Sequence, residues 1–136
     1  MLRIPYYGAV VSKLEKVSKF LNEGHDKLNK GDLYGAIIDY SNVVEIDPQN
    51  AEAFYCRGCA KDEAGDFEGA LEDYNKALEI DPDLSKAHCC RGQVKIMLND
   101  FKGASEDFLI VKEKMPENDF KGTLFEKIMF SFKDEE

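Results

Sequence analysis

The most reactive side chains of this 136-residue chain are four cysteines, which lie in two short stretches. Cys56 and Cys59 are three residues apart, so a helix places both thiols on one face. Cys89 and Cys90 are adjacent, so a helix points them to different sides. Such thiols can bind a soft metal ion, form a redox-sensitive disulfide or fill space between helices. The interval between Cys59 and Cys89 is unlike that of a zinc ribbon, and this favours reduced thiols used for packing.

The arrangements typical of enzymes do not accompany these thiols. His88 has no cysteine, serine or carboxylate placed to form a catalytic triad with it, so we expect a structural role for this side chain. The glycines follow a regular spacing and form no phosphate-binding loop. We therefore expect a non-catalytic protein that uses no cofactor.

Composition and charge exclude several classes of protein. The net charge is −9 and the basic residues form no cluster, which argues against binding to nucleic acid or to an anionic membrane. Hydrophobic residues make up 43% of the chain, enough for the core of one soluble domain. The apolar stretch of residues 1–11 is too short to span a bilayer and lacks the pattern of a signal peptide. These features predict a cytoplasmic protein.

A 34-residue repeat sets the elements that must position the thiols. Each unit predicts two helices, as in the second unit, where residues 51–64 and 67–80 are separated by a glycine and a capping aspartate, Asp66. The second helix ends before Pro82, because proline disfavours helical geometry in the preceding residue. The repeated positions are Gly24, Gly58 and Gly92; Gly35, Gly69 and Gly103; Ala36, Ala70 and Ala104; Asp39, Asp73 and Asp107; and Pro48, Pro82 and Pro116.

This pattern closely resembles the tetratricopeptide repeat family over roughly residues 17–118. The matching residues are Phe20, Gly24, Ala36, Tyr40 and Pro48; Phe54, Gly58, Ala70, Tyr74, Ala77 and Pro82; and Gly92, Ala104, Phe108 and Pro116. The resemblance implies an all-α solenoid of three antiparallel helix hairpins in a right-handed superhelix.

The repeat also predicts how the chain is divided. Repeats are expected at residues 17–50, 51–84 and 85–118, preceded by an extension of residues 1–16 that includes the start of a long first helix near Ala9. Apolar residues at helical spacing predict a capping helix over residues 119–132, within a C-terminal segment of residues 119–136. The expected total is seven helices.

The resemblance implies that the first helix of each hairpin lines a concave groove that binds a peptide or a partner protein. The groove residues expected from this geometry are Leu21, Asn22, His25, Tyr55, Cys56, Cys59, Asp62, Lys86, Cys90, Gln93, Ile96 and Met97. The same geometry brings His25, Cys56, Cys59 and Cys90 toward one another. They are candidate ligands of a zinc or other soft metal ion, although packing, or a redox pair of Cys59 and Cys90, accounts for them as well.

The composition of this groove indicates what it binds. Some family members grip the C-terminal carboxylate of heat-shock chaperones with lysine, asparagine and arginine side chains. Only Lys86 matches among the five equivalent positions, which are Leu21, His25, Cys56, Lys86 and Cys90. The middle repeat holds ten acidic and three basic residues, and its Glu52, Asp62 and Glu63 are expected in the groove. We therefore expect an apolar or basic ligand rather than an acidic tail.

The first residues of the chain leave an alternative open. Leu2, Ile4, Tyr6 and Tyr7 are apolar and have no counterpart in the repeat. Such a segment could join two copies of the chain, so residues 1–7 are candidates for a homodimer contact.

Overall fold

Six helices form three hairpins in the computed structural model, which describes residues 5–114 and gives side chains from residue 8 onward. The helices are α1 (Pro5–Asn29), α2 (Leu33–Ile46), α3 (Ala51–Glu63), α4 (Phe67–Ile80), α5 (Ser85–Met97) and α6 (Phe101–Lys114). No strand occurs within the described range, which confirms the all-α solenoid. The expected seventh helix and the side chains of residues 1–7 lie outside the described part of the chain.

Helix α1 is 25 residues long, against 13 for α3 and for α5. It already includes Pro5, the first residue that the structure describes, and therefore extends upstream of the expected start near Ala9. Leu14 is 63% exposed, whereas Val17 is buried against Val43 of α2. The hairpin core thus begins about halfway along α1. None of the helices that the structure describes has the length and apolarity needed to cross a bilayer.

The turn inside each hairpin has the same construction. In the second hairpin, Gly65 adopts a φ of +84°, a conformation that glycine reaches without strain. Asp66 follows, and its Oδ1 accepts a 3.0 Å hydrogen bond from the amide of Gly69, which caps the N-terminus of α4. The equivalent residues are Gly31, Asp32 and Gly35 in the first hairpin and Asn99, Asp100 and Gly103 in the third.

An aromatic ring of the second helix packs against a glycine of the first helix in every hairpin. A methyl group added at Gly58 would lie 2.7 Å from the Tyr74 ring, closer than atoms can pack. The glycine therefore lets the two helix backbones approach until the ring fills the space between them. The same contact joins Gly24 to Tyr40 and Gly92 to Phe108. All three rings are fully buried.

A buried aspartate in each second helix forms ion pairs with the first helix. Asp73 accepts hydrogen bonds from Arg57 at 2.7 and 2.9 Å, and Lys61 lies 3.0 Å away. Arg57 also donates to Ser41 of the preceding hairpin. The equivalent partners are Lys27 for Asp39, and Arg91 and Lys95 for Asp107. These ion pairs offset the cost of burying each carboxylate.

His88 joins the third ion-pair group, so a carboxylate does lie beside it, contrary to the expectation from the sequence. Its Nε2 lies 2.9 Å from the carbonyl oxygen of Pro82, and its Nδ1 lies 3.4 Å from Asp107. The ring is 6% exposed. It therefore links the loop after α4 to the hairpin formed by α5 and α6.

We expect Asp107→Asn to lower the free energy of unfolding at pH 7 by on the order of 3 kcal/mol, because Arg91 and Lys95 lose a buried partner. Burial raises the pKa of Asp107, but hydrogen bonds from Arg91 and Lys95 outweigh it and leave this pKa below its usual value. A depressed carboxyl pKa stabilises the fold above the unfolded-state pKa of about 3.9 and loses that effect as the pH falls. Urea unfolding between pH 7 and pH 3 measures both effects.

The Asp107→Asn variant should lose less stability on acidification than the unaltered chain does. The matched control is Asp83→Asn, since Asp83 is 86% exposed in its ion pair with Lys114 and should matter little. Equal stability of the Asp107→Asn variant and the unaltered chain at pH 7 would contradict a stabilising role for the buried ion pairs.

Candidate functional site

The first helices of the three hairpins lie side by side and form one face of the molecule, here called the α1–α3–α5 face. His25 of α1 lies 3.6 Å from Glu52 of α3, measured between Nε2 and Oε1. The hydroxyl of Tyr55 on α3 lies 3.7 Å from the Cys90 sulfur on α5. Side chains from three separate repeats thus meet on this face.

The residues expected in the groove lie on these three helices and differ widely in exposure. Asn22, Lys86, Gln93 and Met97 are exposed, with Met97 at 59%. Cys56 is instead buried, and it packs with Tyr40 and Ala60 in the core between the first two hairpins. The partly exposed residues are Leu21, His25, Tyr55, Cys59, Asp62, Cys90 and Ile96. The face is therefore a layer of half-buried side chains with polar and apolar groups at its surface.

A cluster of thiols and tyrosines occupies the junction of α3 and α5. The Tyr74 hydroxyl donates to the Cys59 sulfur at 3.6 Å and to Asp62 Oδ2 at 3.5 Å. The Tyr55 and Tyr74 rings are 6.0 Å apart. Hydrogen bonds from Cys90, and also from Tyr74 and Tyr55, outweigh burial and lower the pKa of Cys59 to about 7. The Cys59 thiol is therefore partly ionised at neutral pH.

The pKa values of the other three thiols are raised rather than lowered. A hydrogen bond to Cys59, together with burial, raises the pKa of Cys90 far above its ordinary value. Burial raises the pKa of Cys56 to about 12, with further contributions from Cys59 and Glu52. Burial also raises the pKa of Cys89. Cys59 is thus the one thiol of the four whose pKa is lowered.

A second cluster lies at the junction of α1 and α3. The ligand-type atoms of His25, Glu52 and Cys56 all lie within 4.8 Å of one another. The Tyr40 hydroxyl lies 2.7 Å from His25 Nδ1 and also hydrogen-bonds to Cys56. Burial raises the pKa of Tyr40 beyond the range in which a phenol ionises in water, so this hydroxyl stays protonated.

The structure divides the four candidate metal ligands of the sequence between these two clusters. His25 and Cys56 meet Glu52 at the α1–α3 junction, whereas Cys59 and Cys90 meet Tyr55 and Tyr74 at the α3–α5 junction. Cys56 and Cys59 are close in sequence, but the hydroxyls of different hairpins hydrogen-bond to them. Residue spacing on α3 does not reveal this division, because Cys56 meets Tyr40 of the preceding hairpin whereas Cys59 meets Tyr74 of its own hairpin.

From the sequence, Tyr40 and Tyr74 were expected only as matching positions of the repeat, and no contact between Glu52 and His25 was expected. One signal was present in the repeat itself: the equivalent ring of the third unit is Phe108, which has no hydroxyl. The two tyrosines therefore carry a polar group that packing alone does not require.

Acidic side chains dominate the polar surface of the face near α3. Glu52 and Glu63 are exposed, and Asp62 is partly exposed. Lys61 is directed away from them into the ion pair with buried Asp73. Burial raises the pKa of Asp62, although its hydrogen bond with Tyr74 opposes this shift. The middle of the face is therefore electronegative.

Known families and structures resemble this chain in sequence and in fold. Residues 51–84 match the profile of the tetratricopeptide repeat family, and residues 24–61 match a second profile described as TPR repeat. A sequence comparison with curated proteins gives no significant match.

Three solved structures show the same solenoid. The TPR2B-domain:pHsp70 complex of yeast Sti1 is 20% identical with a TM-score of 0.77, covering 90% of this chain and 99% of that one. The Arabidopsis OM64 TPR domain is 21% identical with a TM-score of 0.81, covering 91% and 99%. The second TPR domain of human RPAP3, in complex with the HSP70 peptide SGPTIEEVD, is 23% identical with a TM-score of 0.78, covering 89% and 98%.

We expect Cys59 to be alkylated faster than the other three cysteines at pH 7, because its lowered pKa provides thiolate at neutral pH. A short pulse of N-ethylmaleimide followed by peptide mass spectrometry measures the order of reaction. Between pH 6 and pH 8 the rate at Cys59 should level off, whereas the rates at the other thiols should continue to rise. Faster labelling of Cys89 than of Cys59 would contradict the lowered pKa, and a Cys59→Ser variant identifies the signal.

Proposed function

This chain belongs to the tetratricopeptide repeat family, and we propose that it is a non-catalytic adaptor that binds a peptide or partner protein on the α1–α3–α5 face. The observation that carries the proposal is the half-exposed row of Tyr55, Cys59 and Asp62 along α3, flanked by exposed side chains of α1 and α5. Tyrosine is enriched at binding surfaces because it combines a large apolar ring with a hydroxyl that can hydrogen-bond.

The structural relatives support this class of function. The yeast Sti1 domain was solved as a complex with pHsp70, and the human RPAP3 domain holds an HSP70 peptide. Their identity to this chain is 20% and 23%, so they support binding of a peptide but not the choice of ligand.

The surface chemistry supports an apolar or basic ligand. A buried carboxylate needs several donors or a paired charge to offset its desolvation. Among the positions equivalent to the chaperone-tail clamp, Leu21 has no donor, Cys56 is buried and Cys90 is hydrogen-bonded to Tyr55. Glu52, Asp62 and Glu63 instead present negative charge to the ligand.

Whether a partner binds on the α1–α3–α5 face can be tested by affinity capture with crosslinking, using two matched variants of the chain as bait. Met97→Ala removes a 59% exposed apolar side chain from the face, and Tyr34→Ala removes a 76% exposed one from α2. We expect Met97→Ala to reduce capture at least threefold and Tyr34→Ala to leave it unchanged, because one contact is worth about 1 kcal/mol or more when it lies in the interface. Circular dichroism checks that both variants remain folded. Loss of capture with Tyr34→Ala alone would place the interface elsewhere.

The expected ligand charge is tested with the peptide SGPTIEEVD and a matched peptide whose two glutamates and one aspartate are replaced by lysine. We expect the acidic peptide to bind with a Kd weaker than about 0.1 mM, and the lysine peptide to bind more tightly. The difference should shrink as salt is added, because salt screens exposed charges. Fluorescence anisotropy measures both affinities. Tighter binding of the acidic peptide would overturn the proposed preference while leaving the adaptor function standing.

A further inference from the structure

The junction of α1 and α3 carries three side chains of types that bind zinc. They are an imidazole, a carboxylate and a thiol, supplied by His25, Glu52 and Cys56, and their ligand-type atoms lie within 4.8 Å of one another. Each supplies one ligand atom, so the cluster offers one nitrogen, one oxygen and one sulfur. We propose that these three residues form a zinc-binding site that joins the first hairpin to the second.

The spacing is close to that of a coordinated ion. Zinc bonds of about 2.0–2.3 Å in a tetrahedron place the ligand atoms about 3.3–3.8 Å apart. His25 Nε2 and Glu52 Oε1 already meet this requirement at 3.6 Å. The side chain of Glu52 is 63% exposed and free to adjust, whereas Cys56 is fixed in the core. Binding therefore requires a side-chain movement of about 1 Å rather than a change in the helices.

The Tyr40 hydroxyl provides the outer hydrogen bonds that such a site needs. It lies 2.7 Å from His25 Nδ1 and also hydrogen-bonds to Cys56. With zinc on Nε2, the Nδ1–H of His25 donates to the Tyr40 oxygen, and the Tyr40 hydroxyl donates to the Cys56 sulfur. Histidines that bind metals use their second nitrogen in this way, which fixes the tautomer and the orientation of the ring. Tyr40 is thus a positioning residue for two ligands at once.

The charges also balance. Zinc binding forms a Zn–S bond as the Cys56 thiol releases its proton to solvent, so the site gains two positive charges and one thiolate. Together with the Glu52 carboxylate and a neutral His25, the occupied site has no net charge. Three protein ligands leave a fourth position open, and two of the three ligands, His25 and Glu52, are 38% and 63% exposed. That position accepts water or a donor group of a bound ligand.

The α1–α3 site is separate from the thiol pair of Cys59 and Cys90 at the α3–α5 junction. Cys59 interacts with Tyr74 and Cys90 with Tyr55. Neither belongs to the group of candidate ligands found among the described residues. Cys59 and Cys90 therefore serve as internal controls for the ligands at the α1–α3 junction.

The test is a titration of the full chain, reduced and stripped of metal, first with cobalt chloride and then with zinc chloride against a chromophoric chelator. Cobalt bound through Cys56 should give a thiolate charge-transfer band and the strong visible bands of tetrahedral coordination. We expect Cys56→Ser to abolish the charge-transfer band. His25→Gln and Glu52→Gln should each weaken zinc binding at least tenfold, and Tyr40→Phe about tenfold through the lost outer hydrogen bonds.

Cys90→Ser and Cys59→Ser should bind cobalt and zinc like the unaltered chain. Circular dichroism and the thermal midpoint of the metal-free variants show whether each one folds, and zinc should raise that midpoint only where the site is intact. The proposal is overturned if Cys56→Ser keeps the charge-transfer band, if Cys90→Ser loses it, or if Glu52→Gln and His25→Gln bind zinc as tightly as the unaltered chain. Because these measurements use no peptide, they are independent of the proposed adaptor function.

Discussion

The contact between a glycine of the first helix and a ring of the second helix sets the geometry of every hairpin. Without a side chain at Gly24 or Gly58, the helix backbones approach until the ring of Tyr40 or Tyr74 spans the space between them. The ring is then buried, but its hydroxyl contacts side chains of the first helix, His25 in the case of Tyr40 and Cys59 in the case of Tyr74. This is how a residue of the core supplies a polar atom to the α1–α3–α5 face.

One consequence is that each tyrosine has two roles, packing by its ring and hydrogen bonding by its hydroxyl. Replacing tyrosine by phenylalanine would remove the second role and keep the first. The ring of Tyr74 fills the hairpin, while its hydroxyl donates to Cys59 and Asp62. In the third hairpin, Phe108 fills the same space without a hydroxyl. The ring is therefore the packing requirement, and the hydroxyl is an addition whose effects fall on the face.

The ion pairs explain how one hairpin is joined to the next. Arg57 bonds both Asp73 of its own hairpin and Ser41 of the preceding hairpin, and Arg91 does the same with Asp107 and Asn75. In the first hairpin the equivalent position is Glu23. No earlier hairpin precedes it in the described range, and the ion pair to Asp39 comes from Lys27. The arginine thus occurs where there is a preceding hairpin to join.

The sequence predicted the fold far better than the site. A 34-residue spacing of Gly58, Asp66 and Pro82 with their counterparts is enough to place the turns and the helix ends, because each residue acts locally. The pairing of His25 with Glu52 depends instead on how α1 lies against α3, and that is set by packing across hairpins. The helical residues upstream of Ala9 were missed for a related reason: the repeat contains no information about residues that precede it.

The two clusters differ in how a bound ligand would encounter them. At the α3–α5 junction, the Tyr74 hydroxyl hydrogen-bonds to both Cys59 and Asp62, and the Asp62 carboxylate would attract a basic group of the proposed ligand. At the α1–α3 junction, zinc would cancel the charge of Glu52 and offer a fourth position to a donor group. Metal binding would therefore make one end of the face neutral and coordinating while the other end stays acidic. Such asymmetry would set the direction of an extended peptide bound on this face as proposed, because its basic and its donor side chains would prefer opposite ends.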